Sequence, residues 1–160
     1  MQGDKTIIKL LNAVLTNELT SVNQYFLHAR MYENWGLRAL GKVTYDESIG
    51  EMKHADRLIQ RILLLDGLPN LQDLGRLGIG ETVRECLHSD LQLESAARTD
   101  VVAAVTKCEA EKDFVSREIA VHILEDAEAH IDFLETEIGL LEKVGEQNYL
   151  QSQIGDGKES

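Results

Sequence analysis

The chain has 160 residues with a single proline, 5% aromatic residues, 28% charged residues and a formal net charge of −12. That length suits one domain whose core stands without disulfides or a structural metal, and the shortage of proline and aromatic residues favours long helices over a β-sandwich or barrel. The acidity repels nucleic acid phosphates and anionic membranes, so neither is expected as a partner; it either draws cations toward a cavity or only keeps the protein soluble.

From Lys5 to about Trp35, the apolar residues Ile8, Leu11, Leu15, Leu19, Val22 and Phe26 recur at helical spacing, and Gly36 supplies a stop. A second helix runs from about Leu40 to Leu65 and ends at Asp66-Gly67-Leu68-Pro69, where Gly67 takes the left-handed cap and Pro69 forbids continuation. Residues 67–80 hold four glycines among scattered leucines and read as an ordered connection along the helices. A third helix spans about Glu81 to Glu111 and a fourth about Phe114 to Val144, and their short junction makes them an antiparallel hairpin, as the first two are. A connection of about 14 residues reaches along much of a bundle, so the second and third helices lie parallel in an all-α four-helix bundle with one long crossover. After Gly145, Asn148 to Ile154 form a short fifth helix, followed by a polar, frayed tail.

Residues 1–160 are thus read as a single domain, with the bundle at about 5–144 and the short helix at about 148–154. The first residues lack an apolar signal core, and no run approaches the roughly 18 apolar residues of a membrane span, so a cytoplasmic protein is expected. Cys86 and Cys108 belong to no C-x-x-C or Cys/His cluster and are expected as half-buried thiols, not as zinc ligands or a disulfide.

Chemistry enters at Glu51-Met52-Lys53-His54, where a carboxylate and an imidazole stand at i and i+3, neighbours on one helix face. Di-iron carboxylate bundles join two such motifs with one glutamate from each of the other two helices. The matching candidates are Glu18 on the first helix, Glu94 on the third and His130 on the fourth. Glu18 precedes Glu51 by 33 residues, the same interval that separates Glu94 from position 127, so the two hairpins are related by a pseudo-twofold axis. Position 127 is alanine, however, leaving Glu18, Glu51, His54, Glu94 and His130 without a sixth ligand.

Such a set suits iron, manganese or zinc, and coincidentally spaced exposed charges are the plain alternative. Two metals about 3.5–4 Å apart need bridging carboxylates. By symmetry these come from positions 51 and 127, so Ala127 is expected to loosen or abolish one metal position. Asp126 and Glu128 project about 100° away on the helix and are poor substitutes. Tyr25, seven residues after Glu18, is either a packed core tyrosine or a hydrogen-bond or electron donor to the site. His28, His88 and His122 have no partner at ligand spacing and are expected at the surface or an interface. Met52 points to another side of the second helix, where Ile49 and Ile59 complete a partly apolar stripe suited to contact with another subunit; it is either packed there or an axial haem ligand.

Over essentially its whole length the chain resembles the bacterioferritin family. The likeness lies in Asn23-Gln24-Tyr25-Phe26-Leu27-His28-Ala29-Arg30-Met31, Glu51-Met52-Lys53-His54-Ala55-Asp56, Arg61-Ile62-Leu63, Gly67-Leu68-Pro69-Asn70-Leu71-Gln72, His130-Ile131-Asp132 and Asn148-Tyr149-Leu150-Gln151-Ser152. The resemblance implies a ferritin-like four-helix bundle that assembles into a cage of 24 subunits. Such a cage oxidises iron ions, Fe(II), with oxygen or peroxide at an intrasubunit dinuclear iron site and stores the ferric mineral. Glu18, Glu51, His54, Glu94 and His130 match the family's non-haem iron ligands, and Met52 matches the methionine by which two twofold-related subunits clamp one haem b.

Three positions depart from the pattern: Ala127 replaces a bridging glutamate, and Asp46 and Gly50 replace a histidine and an aspartate that line the inner surface in many members. The likeness therefore implies an iron-storage ferroxidase with a weakened or single-iron site, or a haem-carrying structural subunit in a mixed cage with a complete paralogue. A reductant such as a ferredoxin would partner iron release. A rubrerythrin-like peroxidase is disfavoured because no C-x-x-C pair exists, and a DNA-protecting mini-ferritin because Gly155-Asp156-Gly157-Lys158-Glu159-Ser160 is not a basic tail.

Overall fold

Asp4 starts the first helix by accepting hydrogen bonds from the Thr6 and Ile7 amides at 2.8 and 3.0 Å, which satisfies donors that have no partner within the helix. In the computed structural model, which describes residues 1–155, five helices follow in order: α1 (Lys5–Asn34), α2 (Arg38–Leu64), α3 (Val83–Ala110), α4 (Phe114–Val144) and α5 (Glu146–Ile154). The tail expected to fray lies, from residue 156 on, outside the described residues. The all-α expectation holds, and no strand occurs among the described residues.

The helix ends are set by local chemistry. Gly36, at φ 84°, closes α1 while the Leu37 amide reaches back to the Tyr32 carbonyl. At the end of α2 the left-handed residue is Asp66 (φ 59°), not Gly67 as the sequence suggested. Gly67 is required for a different reason: a Cβ there would lie 2.8 Å from Ile8 Cγ2 and 2.9 Å from Ile62 Cγ2. Thr82 caps the start of α3, its Oγ1 accepting from the Glu85 amide, while the Glu85 carboxylate accepts from the Glu81 amide just before it. Asp113 caps α4 and also receives Arg61 Nη2 of α2 at 2.7 Å, tying the second helix to the α3–α4 turn.

The crossover runs parallel to α1 and is held to it by a ladder of side chains. Asn12 accepts from the Asn70 amide, Thr20 from Gly75, Gln24 from Gly78 and His28 from Gly80. Buried Asp90 of α3 anchors the upper rungs, accepting from Gln24 Nε2 and His28 Nδ1 at 2.8 Å each. His28 is therefore buried and structural, not a surface residue. The Gly80 amide donates to Nε2, which requires a neutral ring with its proton on Nδ1, where Asp90 accepts it.

The core is divided at mid-height. One half contains Leu11, Leu15, Leu58, Ile62, Val101 and Ile123. The other contains Tyr32, Leu40, Leu87, Leu134, Leu141 and Tyr149, the last brought in by α5 as it caps that end of the bundle. Cys86 and Cys108 are fully buried free thiols, more enclosed than expected. On α1 the inward stripe is rotated from the expected one: Ile7, Val14 and Tyr25 are buried, whereas Phe26 is exposed. Between the two apolar halves lies a layer of buried polar groups, and α2 and α4 pack against each other least closely.

Candidate metal centre

Each of the four long helices sends one or two charged side chains into that layer. Glu18, Glu51, His54, Glu94 and His130 are all buried, with exposures of only 3–6%. Helical spacing accounts for this, since each residue lies on the buried stripe of its helix, which it shares with Val14 on α1, Leu58 on α2, Ala97 on α3 and Leu134 on α4. None of the five is an exposed charge.

Glu18, Glu51 and His54 converge most tightly. His54 Nδ1 lies 3.3 Å from Glu18 Oε2 and 3.3 Å from Glu51 Oε2. Its other nitrogen, Nε2, lies 2.7 Å from Asp126 Oδ2. Asp126 does leave the inner face as its position on α4 dictates, but its side chain reaches the outer edge of the His54 ring, which the sequence reading missed. A proton on Nε2 held by Asp126 leaves the Nδ1 lone pair aimed at the two glutamates. His122, one turn before Asp126 and half exposed, stands beside it at 3.6 Å, with His54, His122 and Asp126 forming a small outer cluster.

Glu94 and His130 pair on the opposite side, with His130 Nδ1 3.0 Å from Glu94 Oε2. The Tyr25 hydroxyl donates to the same Glu94 oxygen, and its ring meets His130 edge-on at 5.0 Å. Tyr25 is thus both of the things its position allowed, a fully buried core residue and a hydrogen-bond donor to the site. Burial, reinforced by the Glu94 charge, holds its phenol well above the usual range, so it stays protonated. Glu47, one turn before Glu51, completes a second trio with Glu51 and His130. It was not singled out from the sequence, where a glutamate on a charged helix carries no distinguishing signal.

The electrostatics of this layer are those of a cation site. The ion pairs of Glu18, Glu47, Glu51 and Glu94 are all with imidazoles; none involves Lys or Arg among the described residues. Burial pushes the Glu51 carboxyl upward, with the Glu94 charge adding to it against the opposing His54 contact. Both imidazoles are raised although burial opposes it, His54 through Glu51 and Asp126, and His130 through Glu94. Protons are held there by carboxylates that have no other positive partner, and a divalent cation can take their place.

At position 127 the buried alanine presents only a methyl group. Asp46 is exposed and bonded to Lys42 at 3.0 Å, and open space surrounds Gly50. Met52 projects from another side of α2, about 100° round from Glu51, and is 52% exposed, on the same face as half-buried Ile49 and Ile59.

Comparison with known proteins agrees with this architecture. Residues 8–144 match the family model described as the ferritin-like domain. The chain is 46% identical over 149 residues to the bacterioferritin of Mycobacterium bovis, covering 93% of this chain and 94% of that one. The chain belongs to the bacterioferritin family. Two further bacterioferritins extend the match: that of Brucella melitensis is 43% identical across 100% of this chain and 99% of its own, and that of Streptomyces coelicolor 45% identical across 96% and 92%. Among the described residues no helix is long and apolar enough to cross a membrane.

Proposed function

We propose that this bacterioferritin is an iron-storage subunit that takes up Fe(II) at the buried glutamate–histidine layer, oxidises it there, and passes ferric iron to a mineral held inside a cytoplasmic cage of 24 copies. The observation that carries the reading is the convergence of Glu18, Glu51 and His54 in a layer where buried carboxylates have only imidazoles for partners. Unneutralised buried carboxylates are costly, and a divalent cation offsets that cost directly. Oxygen and nitrogen donors suit Fe(II), with manganese and zinc as competitors.

In the reaction, two Fe(II) ions each give one electron to a two-electron acceptor. Dioxygen then takes up two protons and leaves as hydrogen peroxide, or peroxide is reduced to water. Glu18, Glu51 and His54 bind the substrate ion, and Asp126 fixes the His54 ring so that Nδ1 faces it. Tyr25 orients Glu94 while remaining neutral itself.

Assembly is supported by the surface. Leu68, Leu71, Leu74 and Leu77 recur every third residue along the crossover and are exposed, together with Phe26, Leu27 and Leu63; so much apolar surface marks a contact with other copies. Met52 fits a haem b ligand: its thioether is exposed on the outer side of α2 beside apolar Ile49 and Ile59, free to meet the same residue of a second copy. Haem bound there would supply one-electron exchange with a reductant during iron release. Replacing Met52 with Leu should leave the cage intact and remove the haem absorption band; a retained stoichiometric band rejects Met52 as the ligand.

One observation favours a second reading, the haem-carrying structural subunit of a mixed cage: the buried methyl of Ala127 where a carboxylate is expected. Aerobic Fe(II) loading of the purified homo-oligomer separates the two. Formation of a soluble ferric core, abolished in Glu51→Ala, supports oxidation by this chain. A core that forms equally in Glu51→Ala, or only after a paralogue is added, supports the structural role.

A further inference from the structure

Ala127 leaves α4 without a carboxylate at the pseudo-twofold mate of Glu51, but α2 offers one from the other side. Glu47 lies one helical turn before Glu51 and shares its face. Its Oε2 is 3.8 Å from His130 Nδ1, and ligand atoms of Glu47, Glu51 and His130 all lie within 4.8 Å of one another. A Glu94 oxygen is 3.0 Å from the same His130 nitrogen. Glu47 is half-buried, with 36% of its side chain exposed; no Lys or Arg pairs with it among the described residues, and its one ion pair is with a histidine that is itself 4% exposed.

Resting on the reading of this layer as a metal centre, we propose that Glu47 is a ligand of the second metal position, replacing from α2 the carboxylate that α4 lacks at Ala127. Glu51 is then shared between two ions, one held with Glu18 and His54, the other with Glu47, Glu94 and His130. Charge is compatible with the assignment: two divalent cations bring four positive charges, and Glu18, Glu47, Glu51 and Glu94, the four glutamates that meet the two imidazoles, supply four negative ones when both rings are neutral. The helix that lost the ligand and the helix that supplies it face each other across the loosest seam of the bundle, so the exchange needs no change of fold.

The test is a Co(II) titration of the purified oligomer, read by the visible absorption of the bound ion and needing no turnover. The native chain should take up two tightly bound Co(II) per subunit, Glu47→Gln one, and the double variant Glu47→Gln/Ala127→Glu two again. Loss through misfolding would remove both ions and would not be rescued from position 127. Two Co(II) retained in Glu47→Gln, or one only in the native chain, overturns the assignment of Glu47 and leaves the metal centre standing. No tight Co(II) in the native chain overturns both.

Discussion

Asp126 and Glu47 show what residue spacing conveys and what it does not. The five ligand candidates were legible because two hairpins repeat one interval and because glutamates interrupt apolar stripes. Asp126 and Glu47 were not, since spacing fixes where a Cα sits and not how far a carboxylate reaches. Asp126 was set aside for its direction, yet it meets the outer nitrogen of His54 at 2.7 Å. Asp126→Ala should therefore weaken the ion held by Glu18, Glu51 and His54 about 10- to 100-fold by freeing the ring to turn or change tautomer; calorimetric Co(II) titration would show it, and unchanged affinity would mean that packing alone orients His54. His28 was misjudged for a related reason: lacking a partner at ligand spacing, it was placed at the surface or an interface, whereas its partners are Asp90 and a crossover amide.

At the scale of elements, the crossover was legible as a segment but not in how it is held. Its glycines and leucines signalled an ordered connection; the ladder from Asn12, Thr20, Gln24 and His28 depends on tertiary register. Asp90→Ala removes the shared acceptor of Gln24 and His28 and should cost about 2–4 kcal/mol in chemical denaturation. Faster hydrogen exchange at the Gly78 and Gly80 amides would locate the loss. Gly67→Ala should cost about 1–3 kcal/mol through its clash with Ile8 and Ile62, although its φ is ordinary. Asp113 yields a pH prediction. Burial opposes ionisation there, but hydrogen bonds from Ser116 and the Arg61 charge prevail and hold the carboxyl below its ordinary 3.8. Its stabilising contribution is therefore present above that pH and lost as pH falls through the lower folded value. Asp113→Asn should be less stable than the native chain at pH 7, and the difference should vanish in acid; a gap that persists at low pH would assign the effect to packing.

For the whole molecule, the four-helix arrangement followed from helix lengths and one long connection, and the net charge of −12 hinted at cations. What no stretch of sequence displayed is that the core is split in two by a polar layer. Apolar clusters on either side hold that layer in place, so its side chains are positioned by the same packing that holds the bundle together. The exposed leucines of the crossover, unaccounted for in an isolated subunit, become intelligible as contacts within an assembly.

The most direct measurement is stopped-flow oxidation of Fe(II) by the homo-oligomer, with native chain and Glu51→Ala compared as Fe(II) per subunit is raised. The account predicts a fast phase in the native chain that saturates at two Fe(II) per subunit and is absent from Glu51→Ala. Slow oxidation of the same rate in both, with no saturation, would contradict it.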